Sequence, residues 1–437
     1  MVQPNIVIIG AGSAQFTLDM IRDLCLTPGL NGSVVWLVGH VDREKVEQVR
    51  GVGARYSAEM DAGLTFRVTY DRREALRRAD FVICAAAIQG HQSLRQMLFF
   101  MEIIHDMEEL CPQAWLIMAS NPVFEGCTLM TRHSSIKVIG LCHGFREGVR
   151  NISEVLGLNL ADVHAQAAGL NHNVWLTHLF YQGKDAYPLL DCWIDTQSQA
   201  YWKSPVFNGG KLEWGNLSPK AVHMYRFFGL VPIGDTAGHS SPWWYLTDEL
   251  VQRQYGFVLK DWWEVYFAHV HAKTEAIRQA SANPDIPVTA FIPPEKSTGH
   301  DHINIIDAIA NDRPGEFVVN IPNQGAIDGL ADDVVVEIPA VVSAMGAQGL
   351  RVGRLPDAIT AYLQGAVASM EFLLKAYETG NPTLLTAYFL QEPWNTPSLE
   401  RAEQRVAELL TSDECLARIF GRSLRSNRYA AKTEPIK

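Results

Sequence analysis

The sequence has neither long hydrophobic runs nor an excess of basic residues, and both absences narrow what the chain can bind. Its longest apolar stretches, such as residues 81–88, are far too short to cross a bilayer, which takes about 20 apolar residues. Its formal net charge of −11 argues against a partner as acidic as a nucleic acid. We therefore expect neither a membrane nor a nucleic acid as a partner.

The cysteines do not form the pattern of a secreted protein. There are seven, an odd number, scattered from Cys25 to Cys415, which argues against a disulfide framework. The chain starts in an apolar, strand-like run, without the basic segment and cleavage site of a secretory signal. We expect a cytoplasmic protein, in which any one thiol is free to bind a metal.

Length and composition indicate a globular protein of more than one domain. The chain has 437 residues, of which 47% are hydrophobic and 19% charged, and this is enough apolar material for large cores. We predict a first domain over residues 1–150 and a second over residues 151–422. The polar and basic segment 423–437 is predicted to be a loose tail.

The first 145 residues alternate between strand and helix patterns. Short β-branched or apolar runs predict buried strands, and amphipathic spacing predicts the helices between them. The predicted strands are residues 5–10, 33–38, 80–87, 114–119 and 137–142, and the predicted helices begin at residues 17 and 43. This alternation predicts a Rossmann-type, doubly wound α/β domain, as in lactate and malate dehydrogenases.

The pattern changes beyond residue 150. Residues 169–181 are predicted to be a strand pair or an extended segment. Residues 203–244, rich in Pro, Gly and Trp, are predicted to be loops that shape a binding site. Residues 357–378 and 399–410 show helical periodicity. We therefore expect an α+β substrate domain behind the Rossmann domain.

A glycine turn between the first strand and helix indicates a dinucleotide site. Backbone N–H groups at Gly10 and Gly12, with Ser13 and Phe16 beside them, are placed to contact a pyrophosphate at the helix N-terminus. The alternative is an ordinary turn between a strand and a helix. The third glycine position of the usual motif is Gln15.

The acid that usually binds the ribose diol is displaced in this sequence. His40 stands at its usual place, and Asp42, two residues on, is the candidate acid. An imidazole at residue 40 also suits a 2′-phosphate. We predict NAD as the cofactor, with NADP as the alternative.

Three further residues suggest a metal-dependent site. Cys142 ends the fifth strand, where doubly wound sheets place their chemistry, and His172 follows thirty residues later. A thiolate and an imidazole suit a borderline divalent metal and leave positions for substrate oxygens. The alternatives are a buried structural cysteine and a hydrogen-bonded histidine. Asn121 ends the fourth strand and is the third candidate site residue. The alternative is that Asn121 and Pro122 only form a turn.

In these motifs the chain resembles glycoside hydrolase family four over nearly its whole length. The similar segments fall in the family's order and at similar spacing, and the order is the specific signal. They are Ile-Ile-Gly-Ala-Gly-Ser-Ala-Gln-Phe-Thr at residues 8–17, Asp-Arg-Arg-Glu-Ala-Leu at 71–76 with Ala-Asp-Phe-Val at 79–82, Asn-Pro at 121–122, Cys-His-Gly-Phe at 142–145 and Gly-Leu-Asn-His at 169–172.

The resemblance implies an NAD-dependent glycosidase, a known exception to two-carboxylate catalysis. NAD⁺ would take hydride from C3 of the sugar, which acidifies the C2 proton for removal and lets the C1 oxygen leave by elimination. Water would then add at C1 and the hydride would return. Cys142 and His172 would hold the metal, for which family resemblance favours Mn²⁺, whereas the ligand set alone suits zinc or iron equally.

Other residues take roles by the same resemblance. Asn121 and Asn171 are predicted to contact the sugar, and His143 is predicted to be catalytic. Asp235 is the preferred C2 base, with Tyr225 and His239 as rivals, because each of these groups can act as a base once its pKa is tuned. The structural alternative for Asp235 is a turn or an N-cap.

The residues after Cys142 indicate the substrate class. Within the family, Cys-His-Gly resembles the group that acts on uronic acids. Gly144 would leave room beside the sugar, and Arg146 could bind the C6 carboxylate as a bidentate pair. The alternative for Arg146 is a helix cap or a solvated side chain. We predict α-galacturonidase activity on small uronides, with α-glucuronidase or another glycosidase of the family as alternatives.

Two other functions remain open at this stage. A 2-hydroxy acid dehydrogenase would explain the glycine turn but not Cys142 with His172. A non-catalytic NAD-sensing protein is the second alternative. A homo-oligomer is predicted as well, because the tryptophans between Trp193 and Trp263 exceed what one binding site needs.

Overall fold

A computed structural model describes the chain over residues 2–12, 17–40, 42–88, 92–204, 207, 217–240, 253, 259–294, 301–391 and 398–426. Ser13 and Phe16, two predicted cofactor contacts, lie outside these residues, as does Gln15. No helix within the described part of the chain is long and apolar enough to cross a membrane.

The first half of the fold is a parallel sheet of six strands in the order β3-β2-β1-β4-β5-β6. This is the strand order of dinucleotide-binding sheets, with the change of direction between β1 and β4. Its strands are β1 (Asn5–Ile9), β2 (Val34–Val38), β3 (Thr65–Thr69), β4 (Phe81–Cys84), β5 (Trp115–Met118) and β6 (Lys137–Gly140).

Strand β3 was not predicted. Its sequence, Thr-Phe-Arg-Val-Thr, alternates between exposed and inward side chains because it is the edge strand, so it lacks the continuous apolar run of the five predicted strands. The crossover helices are α1 (Thr17–Cys25), α2 (Arg43–Glu59), α3 (Arg72–Leu76), α4 (Gln92–Leu110), α5 (Val123–His133) and α6 (Gly144–Leu156). The predicted Rossmann-type domain is confirmed.

The second half continues the same sheet with antiparallel strands in the order β6-β11-β12-β7-β8-β10. Strand β13 pairs with β12, and β9 pairs with β8. The strands are β7 (Val163–Leu170), β8 (Asn173–Tyr181), β9 (Lys184–Asp185), β10 (Val231–Ile233), β11 (Gly315–Pro322), β12 (Val335–Ser343) and β13 (Gly346–Gly349). The predicted strand pair over residues 169–181 is thus a hairpin of β7 and β8.

The helices of this half complete the α+β arrangement. They are α7 (Tyr187–Thr196), α8 (Ser198–Trp202), α9 (Pro219–Phe228), α10 (Thr236–His239), α11 (Leu259–Ala282), α12 (His302–Ala310), α13 (Asp357–Thr379), α14 (Pro382–Gln391), α15 (Leu399–Ser412) and α16 (Glu414–Ser426). In the described part of the chain, short 3₁₀ turns lie at Pro28–Leu30, Leu160–Asp162 and Val288–Ala290.

Two sequence predictions need comment here. Segment 203–244 was predicted to be loop, but it contains α9 and β10, because Ser218 caps a helix through Ala221 N–H and Gly229 ends it in the left-handed conformation. Helix α16 ends at Ser426, inside the predicted tail, and residues 427–437 lie outside the described part. The predicted boundary at residue 150 falls within α6, and the division into domains stays a prediction.

Candidate active site

Cys142 and His143 lie in the turn between β6 and α6. Strand β6 is held to β5 up to Gly140, and Leu141 N–H then donates to the Met118 carbonyl, so the chain leaves the sheet at a fixed point. Cys142 Sγ accepts a hydrogen bond from Gly144 N–H at 3.4 Å. The thiol therefore lies at the carboxyl edge of the parallel sheet, as the sequence predicted.

His172 occupies the tight turn of the β7–β8 hairpin. Leu170 pairs with Asn173, so Asn171 and His172 form the two-residue loop, and His172 adopts the left-handed conformation with φ 63°. A non-glycine residue in this conformation costs on the order of 1–3 kcal/mol, and such residues occur in tight turns and cluster at functional sites.

Asp235 follows β10 and faces His172. Its Oδ2 lies 3.1 Å from His172 Nε2. Thr236, the next residue, ties this loop to β8 by accepting from Val174 N–H at 2.7 Å and donating to the Val174 carbonyl at 3.0 Å. Asp235 does stand at the N-cap position of α10, as the alternative held, but its side chain makes no capping hydrogen bond.

Glycine at residue 144 admits the Asp235 loop. A Cβ there would lie 3.2 Å from Gly234 Cα and 3.4 Å from Cys142 Sγ. The structure thus fills this side of Gly144 with protein backbone, where the sequence predicted room for the sugar. Cys142, His172 and Asp235 meet as a result, with one ligand atom of each within 4.8 Å of the others.

The electrostatics of this cluster suit a divalent cation. Burial, with Glu337 and Asp235 nearby, raises the pKa of Cys142 well above its usual value, and burial, with His143 nearby, lowers the pKa of His172 to about 4. The imidazole is therefore neutral and available as a ligand, and a bound cation would favour the thiolate. Sulfur, nitrogen and carboxylate oxygen form a donor set for a borderline divalent metal.

Glu337 and Asn320 also belong to the site and were not predicted. The Glu337 carboxylate is buried and accepts from the side-chain amides of Asn171 at 3.0 Å and Asn320 at 3.1 Å. Burial is the main reason that its pKa rises to about 7. A single acid inside the apolar run of residues 334–342 was a signal in the sequence, because charged residues are rarely buried without partners.

The glycine turn has the form of a dinucleotide cradle. Gly10 has φ 92°, and a Cβ there would lie 2.6 Å from the backbone of Ala86 after β4. The turn therefore packs against the switch point of the sheet, where dinucleotides bind. At Gly12 the nearest described atom to a Cβ, on Val46, is 3.8 Å away. Asp42 caps α2 through Lys45 N–H, and its role toward a ribose stays a prediction.

The remaining candidates lie near the same edge of the sheet. Asn121 follows β5 and is exposed. His143, at the N-cap of α6, has its Nε2 at 3.8 Å from Glu147 Oε2. Arg146 is half-exposed, and its Nε contacts Asp301 Oδ2 at 2.5 Å, so the guanidinium is neither a helix cap nor simply solvated.

The two rival bases are less well placed for the role. Tyr225 donates to Asp191 Oδ1 at 2.9 Å, and burial raises its pKa to about 12, so a phenolate is disfavoured. His239 lies in α10, and its side chain is outside the described part. Neither is brought to the Cys142–His172 cluster by any described contact, whereas Asp235 is.

Comparison with family models covers most of the chain. The model described as Family 4 glycosyl hydrolase matches residues 5–93 and 88–158. The model of the Family 4 glycosyl hydrolase C-terminal domain matches residues 167–394.

Curated relatives span nearly the same length. An alpha-galactosidase of Bacillus subtilis is 24% identical over 82% of this chain and 85% of its own. An alpha-galacturonidase of Thermoanaerobacterium saccharolyticum is 22% identical over 93% of this chain and 95% of its own.

Solved structures support the fold. A 6-phospho-alpha-glucosidase from gut microorganisms, in complex with NAD and Mn²⁺, superposes with a TM-score of 0.78 at 20% identity, over 95% of this chain and 99% of its own. A lactate dehydrogenase from Eimeria maxima, with NADH and oxamate, gives a TM-score of 0.54 at 15% identity, over 86% and 98%. The predicted resemblance to the dehydrogenase architecture is confirmed.

Proposed function

The chain belongs to family 4 of the glycosyl hydrolases, and from this premise we propose that it is an NAD- and Mn²⁺-dependent glycosidase that hydrolyses α-linked uronides, α-galacturonides in preference. The observation that carries the proposal is the convergence of Cys142, His172 and Asp235 at the carboxyl edge of a dinucleotide-binding sheet. Relatives solved with NAD and Mn²⁺ bound support both cofactors.

The residues present fit these cofactors. Gly10 and Gly12 would hold the dinucleotide at the end of β1, and Cys142 Sγ and His172 Nε2 would hold the metal. When bound, NAD⁺ supplies a reversible hydride acceptor, and the divalent ion supplies positive charge beside the sugar oxygens.

The chain's own residues then move protons and position the sugar. Asp235, facing His172, takes the proton from C2. Asn121, exposed at the end of β5, donates to sugar hydroxyl groups. His143, partly exposed next to Cys142, donates a proton to the glycosidic oxygen as it leaves C1. Water then adds at C1, and Asp235 gives its proton back to C2. Since the hydride taken at the start is given back at the end, there is no net redox change.

Preference for a uronide is supported by the guanidinium and the helix N-terminus at the start of α6. Arg146 lies in its first turn, and the N-terminus of a 13-residue helix favours an anion. Asp301 holds the guanidinium through Nε, and arginine carries further N–H groups able to bind a carboxylate. Alpha-galacturonidases among the relatives support this substrate class, but other relatives are named alpha-galactosidase or alpha-glucosidase. Arg146 is therefore the main argument for a uronide.

The experiment follows nitrophenol release from p-nitrophenyl α-galacturonide, α-glucuronide and α-galactoside, with NAD⁺, Mn²⁺ and a thiol reductant. We expect cleavage of a uronide that stops when NAD⁺ is omitted or EDTA is added. The faster uronide identifies the C4 configuration. Cleavage of only the uncharged sugar, or only of a 6-phosphoglucoside tested in parallel, would refute the uronide assignment.

Two variants test the role of Arg146. Arg146→Met should raise KM for the uronide at least ~10-fold and leave the α-galactoside unaffected, because a lost charge-assisted contact is worth about 1.5–3 kcal/mol. Arg150→Met, one turn further along α6 and exposed, is the matched control. Equal effects of the two changes would contradict the assignment.

The two alternative functions have their own signatures. Stoichiometric release of NADH with a hydroxy acid would indicate a dehydrogenase. Copurifying cofactor with every glycoside left intact would indicate an NAD-sensing protein. The cytoplasmic location and the homo-oligomer stay predictions.

A further inference from the structure

A single row of residues joins the two halves of the sheet. Strand β6 pairs with β11 only through Gly140 and Asn320, and β12 pairs with β7 only through Glu337 and Gly169. Asn320 and Glu337 are themselves partners across β11 and β12. The row therefore runs Gly140, Asn320, Glu337, Gly169 across four strands.

The row lies directly behind the candidate metal site. Cys142 follows Gly140 by two residues, and His172 follows Gly169 by three. The turns that carry the two proposed metal ligands therefore both extend from the ends of this row. Any shift between β11 and β12 would change where the sulfur and the nitrogen stand relative to one another.

Glu337 is the polar centre of the row. One of its oxygens, Oε2, accepts both from Asn171 Nδ2 and from Asn320 Nδ2. Asn320 Nδ2 also lies 3.5 Å from the Gly140 carbonyl, and the Asn171 side chain lies within hydrogen-bonding reach of the Cys142 thiol. Glu337 thus reaches both metal-bearing turns, each through one amide.

The orientation of both amides follows from the chemistry of a carboxylate. Because Glu337 Oε2 is the acceptor in both hydrogen bonds, each asparagine turns its NH₂ group toward it. Asn320 Oδ1 is then left buried without a hydrogen-bond partner among the described residues, which disfavours the arrangement by roughly 1–3 kcal/mol. The Asn320 amide thus keeps its hydrogen bond to Glu337 although its own oxygen has no partner among the described residues.

We propose that Glu337 is a positioning residue for the metal site, which holds Asn171 and, through it, Cys142 in the geometry that binds the cation. This inference rests on the proposed function, because it takes Cys142 and His172 as the metal ligands. Groups that orient metal ligands contribute about 10- to 100-fold to metal affinity.

The test measures Mn²⁺ binding directly, by the electron paramagnetic resonance signal of free Mn²⁺ titrated with the full-length protein. Glu337→Ala should weaken Mn²⁺ binding at least ~10-fold. Glu337→Gln should stay within about 3-fold of wild type, because one amide oxygen can still accept from both asparagines. Glu316→Gln is the matched control, a carboxylate on β11 that accepts from Gln166 at 2.9 Å, and it should have no effect.

A spectroscopic readout separates positioning from general loss of structure. With Co²⁺ in place of Mn²⁺, the thiolate-to-cobalt absorption band reports the geometry at Cys142. We expect this band to shift or weaken in Glu337→Ala and to be kept in Glu337→Gln. If Glu337→Ala does not fold, Asn171→Ala breaks the same link with Glu337 in place, and it should change the band in the same way.

Each of the following outcomes overturns the inference. Unchanged Mn²⁺ affinity and an unchanged band in Glu337→Ala or, where that variant does not fold, in Asn171→Ala would exclude a positioning role. A Glu337→Gln variant as weak as Glu337→Ala would assign the effect to charge alone. If Cys142→Ser and His172→Ala also bind Mn²⁺ as wild type does, the metal site itself is misplaced, and the proposed function fails together with the inference. If Cys142→Ser and His172→Ala lose Mn²⁺ while the Glu337 and Asn171 variants keep it, the proposed function stands without this inference.

Discussion

At the scale of single residues, buried histidines make the stability of the protein sensitive to acid. His302, at the start of α12, is 3% exposed, and burial, with His143 nearby, lowers its pKa to about 4. In the unfolded chain the imidazole titrates near 6.5. Between pH 6.5 and 4 the unfolded state therefore binds a proton that the folded state does not. The stability that comes from the neutral, buried His302 is fully present above pH 6.5 and is lost as the pH falls toward 4.

The prediction is that His302→Gln flattens this acid dependence. The free energy of unfolding of the metal-free wild type should fall more steeply between pH 6.5 and 4 than that of the variant, by on the order of 3 kcal/mol over the window. Urea unfolding at several pH values measures it. His164→Gln, at an exposed histidine of β7, should keep the wild-type slope, and a variant curve parallel to wild type would contradict the prediction.

Asp235 has two possible roles, because its carboxylate stands within metal-ligand range as well as beside His172. As the C2 base, its replacement in Asp235→Asn should lower kcat about 10²- to 10⁴-fold and leave Mn²⁺ affinity nearly unchanged. Solvent deuterium incorporation at C2 of the product should be lost in parallel. A large loss of Mn²⁺ affinity would instead make Asp235 a metal ligand.

At the scale of elements, the two glycines of the β1–α1 turn are expected to have different roles, Gly10 in packing and Gly12 in cofactor binding. Gly10→Ala places a Cβ in the left-handed region and 2.6 Å from the Ala86 backbone, so it should destabilise the protein by a few kcal/mol. Gly12→Ala meets only Val46 at 3.8 Å among the described atoms, so stability should change little. Thermal melting checks both.

NAD⁺ affinity then identifies what Gly12 does. If the backbone there approaches a pyrophosphate, Gly12→Ala should weaken NAD⁺ binding at least ~10-fold with a melting temperature near wild type, measured by calorimetric titration of the purified protein. Wild-type NAD⁺ affinity in Gly12→Ala would remove Gly12 from the cofactor site.

At the scale of the whole molecule, one sheet carries both proposed cofactor sites. The dinucleotide turn lies at β1, the metal ligands lie at β6 and at the β7–β8 hairpin, and the row through Asn320 and Glu337 joins them. A cation bound between Cys142 and His172 would therefore connect the parallel half to the antiparallel half. Metal binding should stabilise the molecule as a whole and not one half of it.

The corresponding prediction concerns removal of ligands. A ligand at 100 times its Kd stabilises the folded state by about 2.7 kcal/mol, so EDTA and removal of NAD⁺ should each lower the melting temperature. Cys142→Ser should lose the response to Mn²⁺ and keep the response to NAD⁺. A Mn²⁺ response equal to wild type in Cys142→Ser would place the cation elsewhere.

The sequence by itself determined the parallel half of the fold and predicted several of the candidate site residues. Five of the six parallel strands are continuous apolar runs, because strands covered on both faces must be apolar, and β3 escaped because an edge strand alternates. Cys142 could be placed at a strand end for the same reason, since a parallel sheet puts its chemistry at one edge. The order of motifs along the chain was enough to indicate the family, which the family models confirm.

The tertiary structure alone decided which distant residues meet. Glu337 and Asn320 lie 195 and 178 residues beyond Cys142 in the chain, and only the antiparallel pairing of β11 and β12 brings them behind it. The same holds for Gly144, whose missing side chain admits the Gly234 backbone and so carries Asp235 to His172. Local periodicity reports which face of an element is buried, but contacts between elements depend on strand register, which no short stretch of sequence contains.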